Sequence, residues 1–182
     1  MKNQILKSKI HPSSYIHPSA VIIGNVIIGK NVFICPQTVL RADEVKSKIV
    51  IEDFCNIQDG VIIHCLKNSV VKIKSKTSIA HGSIIHGPCI IGKNCFIGFR
   101  TTIFNSVIGD NVVIKNSCLI ENVKLPNKIL VKSGQIIKNS LELKNLSSVD
   151  KETKNFVYSV LKTNCSLRKM YLSQLLDNKN KK

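Results

Sequence analysis

The spacing of its isoleucines constrains this chain more than any other feature. Ile10, Ile16, Ile22, Ile28, Ile34 and Leu40 fall six apart, and Ala20, Val26, Val32 and Thr38 stand two residues before four of them. A helix repeats near 3.6 residues and cannot make that register. After an interruption from Arg41 to Lys48 the beat resumes at Ile51, Ile57 and Ile63. After a second break at Cys65 to Asn68 it runs through Ile73, Ile79, Ile85, Ile91, Ile97 and Ile103, and after a one-residue deletion through Ile108, Ile114 and Ile120. Such a hexapeptide period predicts a parallel β-helix, in which three six-residue flats close a triangular coil of about 18 residues and each coil buries its branched side chains against the next. Small, turn-prone residues after the repeat position, as in Ile23-Gly24-Asn25, supply corners where positive φ is tolerated.

Past Leu125 the beat weakens, with Leu130 and Ile136 as its expected last members. Ser147-Ser148-Val149-Asp150 then offers helix-capping residues, and Phe156, Val160, Leu167, Tyr171 and Leu175 recur at helical spacings. The expected organisation is a β-helix domain over 10–138, a linker over 139–148, a helix over 149–176 packed along the prism, and a basic tail over 177–182.

Composition excludes several classes. With 43% hydrophobic residues the chain can bury a core, yet no apolar run approaches the ~20 residues of a membrane span. Met1-Lys2-Asn3-Gln4-Ile5 lacks the apolar stretch of a secretory signal, so the expected compartment is the cytoplasm, with an organellar address left open. Seven cysteines without a C-x-x-C pair fit neither a disulfide framework nor a cysteine zinc knuckle. Cys55, Cys89, Cys95 and Cys118 each precede a repeat isoleucine by two and read as core residues. The formal charge of +16 comes from scattered lysines with few aromatics for base stacking, so neither a nucleic-acid nor a membrane partner is expected.

Register turns the histidines into positions. His64 follows Ile63 and His86 follows Ile85, and their separation of 22 is one coil plus the four-residue insertion at Cys65 to Asn68. They are therefore expected on one corner of adjacent coils, roughly 4.8 Å apart. Arg41, after Leu40, falls on that corner one coil earlier. His81 stands two residues after Ile79, as Asp59 does after Ile57, so both belong to the preceding corner. Five extended residues separate His81 from His86 by up to ~17 Å, so one chain cannot gather all three imidazoles. Two chains can, if prisms pack side by side, and head-to-tail contacts of that kind close most simply into a trimer. Three neutral imidazoles with an open fourth position form a zinc site that lowers the pKa of bound water to about 7. A turn histidine that only satisfies neighbouring backbone groups is the alternative, and it is the expected role of His11 and His17.

These residues resemble the gamma-class carbonic anhydrases. The resemblance runs through Arg41-Ala42-Asp43, then Asn56-Ile57-Gln58-Asp59-Gly60-Val61-Ile62-Ile63-His64, then Ala80-His81-Gly82-Ser83-Ile84-Ile85-His86-Gly87, and covers roughly Ile10 to Ile120. It implies a left-handed coil and a homotrimer. It also implies Zn2+, or Fe2+ or Co2+ in its place, held by His64 and His86 of one subunit and His81 of the next, with hydration of carbon dioxide to bicarbonate by metal-bound hydroxide. By the same resemblance Gln58 orients the hydroxide, Asn56 helps place carbon dioxide, and Arg41, Asp43 and Asp59 form ion pairs across the interface and help hold bicarbonate. Trimer glue is an equal expectation for Arg41 and Asp59.

The chain departs from the family in two places. Active members can carry an acidic residue in an enlarged loop after the first histidine, whereas Cys65-Leu66-Lys67-Asn68 has none, leaving Glu44 as the candidate proton shuttle. Ser133-Gly134-Gln135-Ile136-Ile137-Lys138 stands where the family shows a G-x-P-A-K-like closing segment, so no role is read for Tyr158 or Tyr171. Two other readings compete: a weakly active or inactive metal-binding homologue serving as a scaffold or assembly subunit, and a hexapeptide acyltransferase with one histidine as general base.

Overall fold

The computed structural model describes residues 8–180. They form a left-handed parallel β-helix of about seven coils followed by one long helix. The coils stack three flat sheets, here called the first, second and third faces, of seven, eight and seven strands. Within each face every strand pairs in parallel with its counterpart one coil away, as in Ile28↔Ile51, Ile57↔Ile79 and Ile63↔Ile85. The exception is Ser147–Ser148, which closes the second face antiparallel to Ile129–Val131.

The isoleucine beat is the core. Ile51, Ile57, Ile63, Ile73, Ile79, Ile85, Ile91, Ile97 and Ile103 are fully buried, each contributing ~1.5–3 kcal/mol by leaving water. Cys55, Cys89, Cys95 and Cys118 join this cluster as expected. Their thiols donate to backbone carbonyls, Cys55 Sγ to Lys74 O and Cys95 Sγ to Gly109 O at 3.1 Å each. Burial pushes both thiols up to about 12, which removes their nucleophilicity near neutral pH.

Four expectations need correction. The first interruption starts later than Arg41: the strand Val39–Ala42 runs through it, and the inserted loop occupies 43–47 before Lys48–Ile51. The beat does not end at Leu130 and Ile136. A second one-residue deletion after Ile120 moves it to Leu125, Val131 and Ile137, which pair with Ile108, Ile114 and Ile120. Leu130 turns outward under the helix and Ile136 is exposed. The segment 139–148 is not a plain linker but holds a 3-10 turn, Glu142–Asn145, and the closing strand.

The helix is Lys151–Asn180, not 149–176, so it takes in much of the expected basic tail. Lys181 and Lys182, and the side chain of Lys179, lie outside the described residues. Asp150 caps it by accepting the Thr153 N–H at 2.7 Å, and this contact holds the Asp150 carboxyl below its usual range. Val157 and Val160 pack on Phe96, Val113 and Leu130, while Tyr171 and Leu172 pack on Tyr15, Phe33 and Cys35. Phe156, half exposed, still meets Phe96 edge-to-face with centroids 5.3 Å apart, whereas Leu167 and Leu175, expected in the contact, are exposed. The buried side of the helix includes Asn164 and Arg168, whose side chains bond Val160 O and Ser13 O. Polar residues with such partners are invisible to an apolar stripe.

No helix among the described residues is long and apolar enough to cross a membrane.

Candidate metal centre

Two corners of the prism carry the histidines. On the corner between the third and first faces, Arg41, His64 and His86 align in cross-strand register, with Phe104 one coil further. The His64 and His86 ring centroids are 4.9 Å apart, and His64 Nδ1 faces His86 Nε2 at 3.1 Å. A tetrahedral ion with bonds of 2.0–2.1 Å separates two ligating nitrogens by roughly 3.3 Å. The remaining ring nitrogens, His64 Nε2 and His86 Nδ1, are buried without a hydrogen-bond partner. Burial, then the neighbouring His86 and Arg41, lower the His64 pKa against the opposing pull of Glu44 and Asp43. The neutral imidazole that a metal requires is thereby favoured.

The loop 43–47 folds acidic groups over this corner. Glu44 Oε1 lies 3.4 Å from His64 Nε2, and Glu44 Oε2 accepts the Lys67 N–H at 2.8 Å. Asp43 Oδ1 is 4.0 Å from the same nitrogen. Arg41 Nη2 donates to Asp43 Oδ2 at 3.1 Å within the chain. Burial works to raise the Asp43 carboxyl, but the Arg41 hydrogen bonds and charge outweigh it and hold the group below its ordinary value. Cys65 points away from the histidines, its thiol bonded to Ser69 O at 3.1 Å in the core.

On the corner between the second and third faces, His81 Nδ1 lies 2.7 Å from Asp59 Oδ2. A carboxylate there fixes the Nδ1–H tautomer and leaves Nε2 with a free lone pair aimed outward, as outer-shell carboxylates do for metal-binding histidines. Gly60 and Gly82, at φ 66° and 67°, complete the turns that follow Asp59 and His81. Gln58, beside Asp59, keeps a buried amide oxygen without a partner.

The structure thus brings together Arg41, Asp43, Glu44, His64 and His86 on one corner and Gln58, Asp59 and His81 on another. Among the described residues no three His, Cys, Asp or Glu side chains of one chain gather as a metal set. Asn56 joins neither group. It is sealed under the helix, lining a narrow gap with Phe33, Leu161 and Asn164, and both its amide atoms are unpartnered.

Two aromatic residues escaped the sequence reading. Phe99 stacks on His81, with centroids 5.5 Å apart and planes at 24°, and Phe104 lies 5.4 Å from His86. Each follows its histidine by 18 residues, one uninterrupted coil, and that spacing was available in the sequence.

The architecture defines a hexapeptide-repeat protein, and a family profile for bacterial transferase hexapeptide repeats matches residues 7–42 and 71–105. A carbonic anhydrase of Methanosarcina thermophila is 32% identical over 169 residues, spanning 82% of this chain and 67% of that one. The chain belongs to the gamma-class carbonic anhydrase family. Carboxysome assembly protein CcmM of Nostoc sp. strain PCC 7120 is 39% identical across 92% of this chain, which spans 32% of CcmM's length. A hexapeptide transferase family protein from Anaplasma phagocytophilum superimposes with a TM-score of 0.76 at 24% identity, over 90% of this chain and 92% of that one, a likeness of fold.

Proposed function

We propose that this chain forms a homotrimer that reversibly hydrates carbon dioxide to bicarbonate at metal sites shared between subunits, with zinc, or iron or cobalt in its place, as the cofactor. The supporting observation is the donor set. His64 and His86 oppose ring nitrogens at 3.1 Å on one corner, and His81 presents an Asp59-oriented lone pair on the next. Neither corner is sufficient alone, and together they supply three imidazoles with an open position. The third face between these corners also exposes Val21, Ile62, Ile84 and Ile136, an apolar strip suited to subunit contact. When bound, the metal supplies a water activated for attack on carbon dioxide near neutral pH.

This chain's own residues do the rest. Asp59 holds the His81 ring in its ligating tautomer. Gln58 offers its unpartnered amide oxygen to a hydroxyl proton and so orients it. Arg41, kept in place by Asp43, offers an exposed guanidinium to bicarbonate or to a carboxylate of the neighbouring subunit. Glu44, near His64 and partly exposed, moves protons to solvent, the task for which the loop at Cys65 to Asn68 has no acid. Asn56, sealed under the helix with neither amide atom partnered, has no part in it. Phe99 and Phe104 add apolar walls.

Metal analysis of the purified protein with stopped-flow hydration, on wild type and His81→Ala, tests this reading. Wild type should carry one metal per chain and His81→Ala should lose it. Metal retained with unchanged hydration in that variant would refute the shared site, and a monomer with full metal would refute the trimer.

The identity with CcmM across nearly the whole chain favours a second reading, an assembly subunit that keeps the metal as a structural element. It predicts bound metal and trimers with hydration at the level of a buffer control.

A further inference from the structure

The helix runs back along the second face, and the outward ladder beneath it changes character along its length. Strand pairing aligns Phe33, Asn56, Ser78 and Phe96 in four successive coils. Both ends of the seam are apolar. Val157 and Val160 of the helix pack on Phe96, Val113 and Leu130. Tyr171 and Leu172 pack on Tyr15, Phe33 and Cys35, with the Tyr171 ring 5.2 Å from Tyr15 and 5.8 Å from Phe33. Between these two clasps the ladder offers only Asn56 and Ser78.

That middle stretch is starved of partners. Asn56 and Ser78 are buried, and Asn56 Oδ1, Asn56 Nδ2 and Ser78 Oγ have no hydrogen-bond partner. Opposite Asn56 the helix brings Leu161, Asn164 and Cys165, and the Asn164 amide donates within the helix to Val160 O rather than across the seam. The gap has no volume for a water molecule. One turn on, the buried Arg168 reaches Ser13 O through Nη1 but leaves Nε unpartnered, and among the described residues the arginine in a salt bridge is Arg41, not Arg168. Four buried polar atoms thus oppose docking, because each gives up water as the helix closes and gains no bond in exchange. They recover hydrogen bonds only when the helix moves away.

The two ends of the helix are held unequally. Just before it Ser147–Ser148 pairs with Ile129–Val131, and the Val149 N–H donates to Lys128 O at 2.9 Å, so backbone bonds tie the N-terminal end to the prism. The C-terminal clasp rests on side chains. We propose that the helix is a hinged strap that swings off the second face about its tied end, and that Cys35 is the thiol this motion uncovers. Cys35 lies beneath Tyr171 and Leu172 on the outward side of its strand, whereas Cys55 and Cys95 belong to the core inside the prism. Burial pushes all three thiols up to about 12, so unequal reactivity among them reports uncovering rather than intrinsic acidity. Such sub-global opening exposes one packed unit while the rest of the fold stays closed. It involves neither histidine pair and does not depend on the carbonic anhydrase reading.

Alkylation of the native full chain with iodoacetamide, read site by site by mass spectrometry, tests the proposal, with hydrogen exchange over 161–172 measured alongside. Cys35 should react at least tenfold faster than Cys55 and Cys95. Asn56→Leu puts an apolar side chain of similar length against the helix, and it should slow both Cys35 alkylation and exchange over 161–172 at least fivefold. Arg168→Met, which removes the buried charge but keeps the stem, should act in the same direction and serves if circular dichroism shows Asn56→Leu misfolded. Tyr171→Ala opens the C-terminal clasp and should speed both readouts at least tenfold while Cys55 stays unchanged. Cys35 as slow as Cys55, rates that the two tightening variants leave unmoved or raise, or Tyr171→Ala without effect would each overturn it.

Discussion

His17 and His81 stand on the same corner of one prism, yet their rings are committed in opposite ways. His17 Nδ1 accepts the Ser19 N–H at 3.1 Å and meets Ser19 Oγ at 2.8 Å. Its lone pair is spent on the local turn, and the neutral ring carries its proton on Nε2, where it cannot ligate. Ser19 Oγ in turn accepts the Gln37 N–H of the next coil, so the ring belongs to the capping of the first coils. His11 repeats the arrangement with Ser13. His81 instead donates its Nδ1–H to Asp59 and turns a free Nε2 outward. A histidine at a β-helix corner is thus structural or available according to whether a backbone N–H two residues on, or a carboxylate one coil back, claims Nδ1.

The sharpest way to break this contrast is to remove each ring. His81→Ala should abolish metal binding and lower hydration by more than the roughly 10–100-fold typical of outer-shell changes, as read by elemental analysis and stopped flow. Asp59→Asn comes next. It preserves shape but lets the His81 tautomer relax, so metal affinity should fall about 10–100-fold in a competition titration with a chelating dye. Wild-type affinity in Asp59→Asn would show that Asp59 serves only as interface glue. His17→Ala should leave both readouts untouched and cost about 1 kcal/mol, the worth of one local hydrogen bond, or roughly 2–4 °C in Tm. Loss of metal in that variant would erase the distinction.

Legibility in the sequence followed the same physics. Every coil whose inward position holds a branched residue could be read, because a period of six leaves one solution for burial. The adjacency of His64 and His86, and of Asp59 and His81, followed from counting residues and subtracting the insertion. The terminal coil was misplaced because a single deletion after Ile120 is too small to see once Val131 and Ile137 have Leu130 and Ile136 as apolar neighbours. The docked side of the helix is hard to read from sequence because Asn164 and Arg168 lie in it, Asn164 bonded to Val160 O within the helix and Arg168 to Ser13 O, a partner that only the fold supplies. Asn56 was grouped with Gln58 through family resemblance, whereas alternation along the strand turns it under that helix, and only the helix's position shows it sealed there.

The smallest expected effect concerns the metal-free protein and distinguishes burial from mere position. Burial beside His86 and Arg41 holds the His64 pKa below its ordinary value of about 6.5. The fold therefore favours the neutral ring, and the unfolded chain takes up a proton first as pH falls. By linkage the stability from this ring is complete above pH ~6.5 and is lost as pH falls through that value toward the lowered folded pKa. With chelator present, Tm should decline from about pH 7 to pH 5 more steeply in wild type than in His64→Gln, which cannot titrate there. With metal restored, acid should act mainly by releasing the ion, since proton and metal compete for one lone pair, so the two proteins should differ more. Parallel slopes in chelator would mean that His64 is as well solvated as a free imidazole. The pair on its corner would then be two surface rings rather than the desolvated, neutral donors that the shared site requires.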